Sequence, residues 1–97
     1  MIMVLNSTTA YVVRFSSDEH ETVVFSDNLV EAVAAYVDCI QEAECDEIMS
    51  YNIDIYSYNT GEILAYRRQT YTDRVMNTTV YDTDEFLDAL VESVKLK

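Results

Sequence analysis

The side chains in this chain best able to do chemistry are carboxylates, and some of them recur at a regular spacing. Asp84, Asp88 and Glu92 fall every fourth residue, as do Asp38 and Glu42. On a helix, residues four apart rise about 6 Å along the axis. Successive phosphates on a nucleic-acid strand are spaced comparably, so such a row can present negative charge where a basic groove expects phosphate. Any soluble helix also carries a charged outer face, and either row alone says no more than that. The long cation-free stretch gives the rows weight. Between Arg14 and Arg67 there is no Lys or Arg, while Asp18, Glu19, Glu21, Asp27, Glu31, Asp38, Glu42, Glu44, Asp46, Glu47, Asp54 and Glu62 all fall there.

Other chemistries fail on inventory. His20 is the single histidine and sits in Asp18-Glu19-His20-Glu21, a turn whose acids favour the protonated ring, which is a poor general base. Cys39 and Cys45 are spaced as neither a zinc knuckle nor a redox pair, and no histidine lies near Cys39 to activate a thiolate. One glycine cannot build a phosphate-cradling loop. The acids Glu42, Glu44, Asp46 and Glu47 lack the spacing and the glycine of a calcium loop. The expectation is a non-enzymatic protein with no cofactor and no metal.

A second candidate surface comes from Tyr51 to Gln69, which reads as a β-hairpin closed at Asn59-Thr60-Gly61. A three-residue loop ending in a left-handed residue suits the only glycine in the chain. That loop would set Tyr58 opposite Glu62, Tyr56 opposite Leu64, Asp54 opposite Tyr66 and Asn52 opposite Arg68. Ile53, Ile55, Ile63 and Ala65 would then face the core. The opposite face would carry Tyr56, Tyr58, Leu64 and Tyr66, edged by Asp54, Glu62 and Arg68. Tyrosines offer contact area at low entropy cost, although they also simply favour strands.

Periodicity supplies the elements that must position these groups. Thr8 to Phe15 alternate as a strand, Glu21 to Phe25 return as a second, and Met1 to Leu5 form a short apolar start. Ser26 reads as the N-cap of a helix running to about Ala43, whose apolar residues nearly encircle it, so more than one neighbour must cover it. Glu44 to Glu47 link it to the hairpin. Asp73-Arg74 reads as a turn, and Val75 to Tyr81 as a further strand. Asp82 and Glu85 read as a capping box for a last helix with Phe86, Leu87, Leu90, Val91 and Val94 on its buried stripe. The expected fold is α+β: a two-layer sandwich in one domain, 1–97, with an antiparallel sheet of four to five strands and two helices on one face.

The 97 residues carry 18 acids against 6 Lys and Arg, for a formal net charge of −12. Such a field repels nucleic acid and attracts basic surfaces. Solubility and a halophile's surface chemistry would each also produce it. No apolar run is long enough to span a membrane, and the start lacks the basic region of an export signal. The cytoplasm is therefore expected, with both cysteines reduced.

In size, acidity, single-domain compactness and tyrosine content the chain resembles the small acidic inhibitors encoded by phages and mobile elements, such as anti-CRISPR and anti-restriction proteins. That resemblance implies occupation of the nucleic-acid groove of a host nuclease or surveillance complex, in the host cytoplasm. The expected partner is thus a basic protein, with no direct binding to nucleic acid or membrane. The candidate partner-binding residues are Glu31, Asp38, Glu42, Glu44, Asp46, Glu47, Asp54, Tyr56, Tyr58, Glu62, Tyr66, Asp84, Asp88 and Glu92. The alternative is a homodimeric interaction or assembly module, joined through the tyrosine face or the surplus apolar surface of the first helix.

Overall fold

A computed structural model describes residues 10–19 and 21–95. Among the described residues seven elements follow one another: β1 (Tyr11–Ser17), β2 (Glu21–Ser26), α1 (Leu29–Cys45), β3 (Tyr51–Ser57), β4 (Ile63–Thr72), β5 (Val75–Asp82) and α2 (Asp84–Lys95). The strands form one open antiparallel sheet in the order β2-β1-β3-β4-β5. Both helices lie on one face of it, so the fold is α+β as the periodicity predicts. The expected strand at Met1–Leu5, the start of β1 at Thr8, and His20 lie outside the described residues.

The core follows the period-two alternation of the central strands. Val13 and Phe15 of β1, Tyr51, Ile53 and Ile55 of β3, and Leu64 and Ala65 of β4 turn towards the helices and are buried. Ala32, Val33, Tyr36, Cys39 and Ala43 of α1 meet them, with Phe86 and Ala89 of α2. Edge-to-face ring pairs close this core, Phe15 on Tyr51 at 6.2 Å and Tyr36 on Phe86 at 5.2 Å. The nearly encircling apolar surface of α1 is explained by its two neighbours, the sheet on one side and α2 on the other.

The hairpin differs from the three-residue expectation. Ser57 N–H donates to the Glu62 carbonyl and Gly61 N–H to the Ser57 carbonyl, so the loop comprises Tyr58 to Gly61. Tyr58 is therefore not paired with Glu62. Gly61 does take the left-handed conformation, at φ 74°. The longer loop would shift every pair below it, but a β-bulge at Leu64 absorbs the shift: Tyr56 pairs with Ile63 and Ile55 with Ala65. The predicted pairs Asp54–Tyr66 and Asn52–Arg68 hold. Leu64 and Ile63 have exchanged roles relative to the expectation. Leu64 is buried in the core, and Ile63 lies on the open face beside Asp54 and Tyr66.

The helix starts also differ by one or two residues. Asn28, not Ser26, caps α1: its Oδ1 accepts the Glu31 N–H at 3.1 Å. Ser26 ends β2, and its Oγ accepts from the Asn28 N–H in the connecting turn. Thr83, not Asp82, caps α2, its Oγ1 accepting from the Phe86 N–H. The same hydroxyl donates to the Leu64 carbonyl at 2.8 Å, and the Thr83 N–H reaches that carbonyl too, at 3.0 Å. The bulge residue thus anchors the start of α2, a tertiary contact that a local capping pattern cannot reveal. On α2 itself Phe86, Ala89 and Ser93 turn inwards and Leu90 packs against the core, so Phe86 and Leu90 of the predicted stripe face the core, whereas Leu87, Val91 and Val94 of that stripe are exposed.

Candidate binding surfaces

The structure divides all but two of the sequence-predicted residues between two surfaces. Glu31, Asp38, Glu42 and Glu44 project from α1, Asp46 and Glu47 from the turn after it, and Asp84, Asp88 and Glu92 from α2. All nine are exposed and belong to the helix layer. The C-terminus of α1 gathers the densest acids. There the Asp46 N–H donates to the Glu42 carbonyl and the Ile48 N–H to the Ala43 carbonyl, which wraps the chain tightly around Glu47 at φ 55°. The only described cation within either helix is Lys95, which meets Glu92 at 3.5 Å. Buried beneath the α1 acids, the Cys39 thiol is pushed up to about 11 by burial, with the charges of Glu42 and Asp38 adding to it. Both cysteines are free, Cys39 buried and Cys45 exposed. Among the described residues no group of three or more His, Cys, Asp and Glu is placed to hold a metal.

The opposite, open face of the sheet holds Asp54, Tyr56 and Tyr66, and here the sequence reading missed the partners. Arg14 on β1 lies directly across from Asp54. Its Nε and Nη2 donate to the two carboxylate oxygens at 2.9 and 2.8 Å, and its guanidinium stands 4.7 Å over the Tyr56 ring. The hydrogen bond to Asp54 is the main reason the Arg14 pKa is raised. Asp54 is therefore held by its own sheet. Tyr66 stacks on Tyr81 of β5, with centroids 5.4 Å apart and planes 23° from parallel. Arg68 donates to Asn52 Oδ1 at 2.8 Å. Arg14, Asp54, Tyr66, Asn52 and Arg68, with Ser16 and Glu21, line a hollow of about 440 Å³. Arg14 could have been placed on this face by its alternation with Val13 and Phe15. Its pairing with Asp54 needed the β1–β3 neighbourhood, which only the topology supplies. Tyr58 and Glu62 lie apart from both surfaces, at the hairpin loop.

The arginines are thus confined to one layer. All four arginines, Arg14, Arg67, Arg68 and Arg74, sit in the sheet or its turns. Arg67 points towards the helices and donates to the Tyr51 hydroxyl at 3.2 Å, the chief reason its pKa is raised. No helix among the described residues is long and apolar enough to cross a membrane. No family model, curated protein or solved structure matches the chain.

Proposed function

We propose that this chain is a non-enzymatic acidic binding protein that occupies a basic, nucleic-acid-binding surface of another protein, in the manner of an anti-CRISPR or anti-restriction inhibitor. The observation that carries the reading is the concentration of exposed carboxylates on the helices, away from the arginines. Nine exposed carboxylates of the predicted set share the helix layer, while the arginines are confined to the sheet layer. An acidic layer of this kind steers a basic partner, and the only described cation within its helices is Lys95, beside Glu92. The fold supplies rigid helices to hold the carboxylates at fixed spacing. Within this reading the partner is a host nuclease or surveillance complex in the cytoplasm, and the protein itself binds neither nucleic acid nor membrane.

The test is affinity capture from a host lysate at low and high salt, followed by competition with nucleic acid. The expected result is a basic partner that is captured at low salt, lost at high salt, and displaced by its own nucleic acid. A partner whose affinity for this protein is unchanged by bound nucleic acid would refute mimicry. The competing reading, a module joined through the tyrosine face, draws on the stacked Tyr66–Tyr81 pair and predicts capture that resists salt.

A further inference from the structure

We infer that β5 is a self-complementary edge through which two copies of this chain join into one continuous ten-stranded sheet. This inference does not depend on the proposed function. Among the described residues β5 pairs with β4 alone, and all of its residues are exposed. The usual guards of a sheet edge are charges, proline, a bulge, or a covering element. Val75 to Tyr81 contains no charged residue and no proline, and β5 pairs with β4 without any break in register.

The turn fixes which backbone groups the edge presents. Asp73 and Arg74 have φ of 52° and 66°, the paired left-handed conformation of a two-residue hairpin turn. Thr72 and Val75 flank that turn and exchange hydrogen bonds, and the alternation then continues along the ladder. Val75, Asn77, Thr79 and Tyr81 therefore bond to β4. Met76, Thr78 and Val80 direct their N–H and C=O groups outwards, where a strand is the natural occupant.

The side chains say which strand. An antiparallel copy centred on Thr78 sets Thr78 against itself, Asn77 against Thr79, Met76 against Val80, Val75 against Tyr81 and Arg74 against Asp82. Each apolar residue then meets an apolar one, each polar residue a polar one, and the charges at the two ends meet opposite charges. Moving the centre to Asn77 sets Val80 against Arg74 and Met76 against Thr78. Moving it to Thr79 sets Met76 against Asp82 and Val80 against Thr78. Neither alternative matches. Arg74 also occupies a turn position where glycine would be least strained, so its side chain is kept at some conformational cost. On the helix side of the sheet, Met76 and Val80 are half-exposed and border two apolar hollows, which the twofold would make continuous. Because the contact is isologous, assembly stops at two copies.

The test combines light scattering with charge reversal and cross-linking. Between about 1 µM and about 500 µM, the natural chain is expected to reach twice its 11.2 kDa mass and no more. Arg74→Asp and Asp82→Arg should each weaken the dimer by about tenfold or more, since each converts two opposite-charge pairs into like-charge pairs. The two together should restore it to within about threefold, which loss of folding would not do. In a Cys45→Ser background, Asn77→Cys combined with Thr79→Cys should oxidise to a covalent dimer, because in this register Asn77 of one copy faces Thr79 of the other in a non-hydrogen-bonded pair, whose side chains lie close enough for a disulfide. A monomer throughout that range, a double variant weaker than either single one, growth beyond two copies, or a dimer indifferent to either reversal would overturn the proposal. If a charge-reversed variant fails to fold, the cross-link decides: a covalent dimer supports the edge contact and its absence refutes it.

Discussion

At the residue scale, two side chains behave differently from what their types suggest. Asp54 looks like one more surface acid, yet Arg14 holds both its oxygens. The pair is only partly buried, with the side chains of Arg14 and Asp54 at 47% and 21% exposure, so solvent screens it. Asp54→Ala should cost about 1 kcal/mol or less in a denaturant titration. It should leave partner binding unchanged, because Asp54 lies on the sheet face rather than in the acidic layer. Cys39 and Cys45 should separate cleanly under alkylation near neutral pH: Cys45 labels, and Cys39 labels only on unfolding. The same burial has a consequence for stability. Folding raises the Cys39 pKa from 9.0 to about 11, so above pH 9 the unfolded chain gives up a proton that the folded chain keeps. The contribution is full below pH 9 and is lost as pH rises towards 11. Burial raises the Tyr36 pKa as well and acts in the same direction. The midpoint of denaturation should therefore fall across that window, and less steeply in Cys39→Ala.

At the element scale, Thr83 shows how two parts of the chain depend on each other. Its hydroxyl accepts from the Phe86 N–H and donates to the Leu64 carbonyl, so one side chain caps α2 and secures the β4 bulge. Thr83→Ala should destabilise by about 1–2 kcal/mol, read from the shift of a urea midpoint, while Thr83→Ser should recover most of the loss. This residue also marks where the sequence stopped being legible. Strand alternation, the left-handed Gly61 and the approximate helix spans are readable because each is local, whereas the length of the hairpin loop and the inward side of α2 depend on tertiary contacts. A local pattern points to Asp82 as the α2 cap because Asp and Thr are both good caps, and the choice rests on Leu64, 19 residues from Thr83 in the chain. Likewise, Ile63 and Leu64 are both apolar, so either could face the core. Only the bulge decides between them.

At the scale of the whole molecule, the candidate residues other than Tyr58 and Glu62 form two surfaces on opposite sides of a sheet rather than one site. The sequence exposed both sets of residues but not their separation, because which face carries the helices depends on how β1, β3 and β4 come together. That separation makes the functional proposal testable in a way a single mixed surface would not. Replacing Glu42, Glu44, Asp46 and Glu47 by lysine changes the charge at the end of α1 without touching the open face. All four are exposed, so the fold should survive, as circular dichroism would show. A partner recognised through the acidic layer should then bind far more weakly, mostly through a slower on-rate, and each single replacement should have a smaller effect than the set. The dependence of affinity on salt should flatten in the same variant, because fewer ionic contacts remain to be screened. Tyr66→Ala removes the stack on Tyr81 on the other side of the sheet. If the acidic layer makes the contact, that variant should bind as the natural chain does. If the tyrosine face makes it, Tyr66→Ala should raise the off-rate while the lysine set leaves binding intact. Measuring association and dissociation rates for both variants against a captured partner separates these outcomes, and loss of binding confined to Tyr66→Ala would sink the mimicry reading.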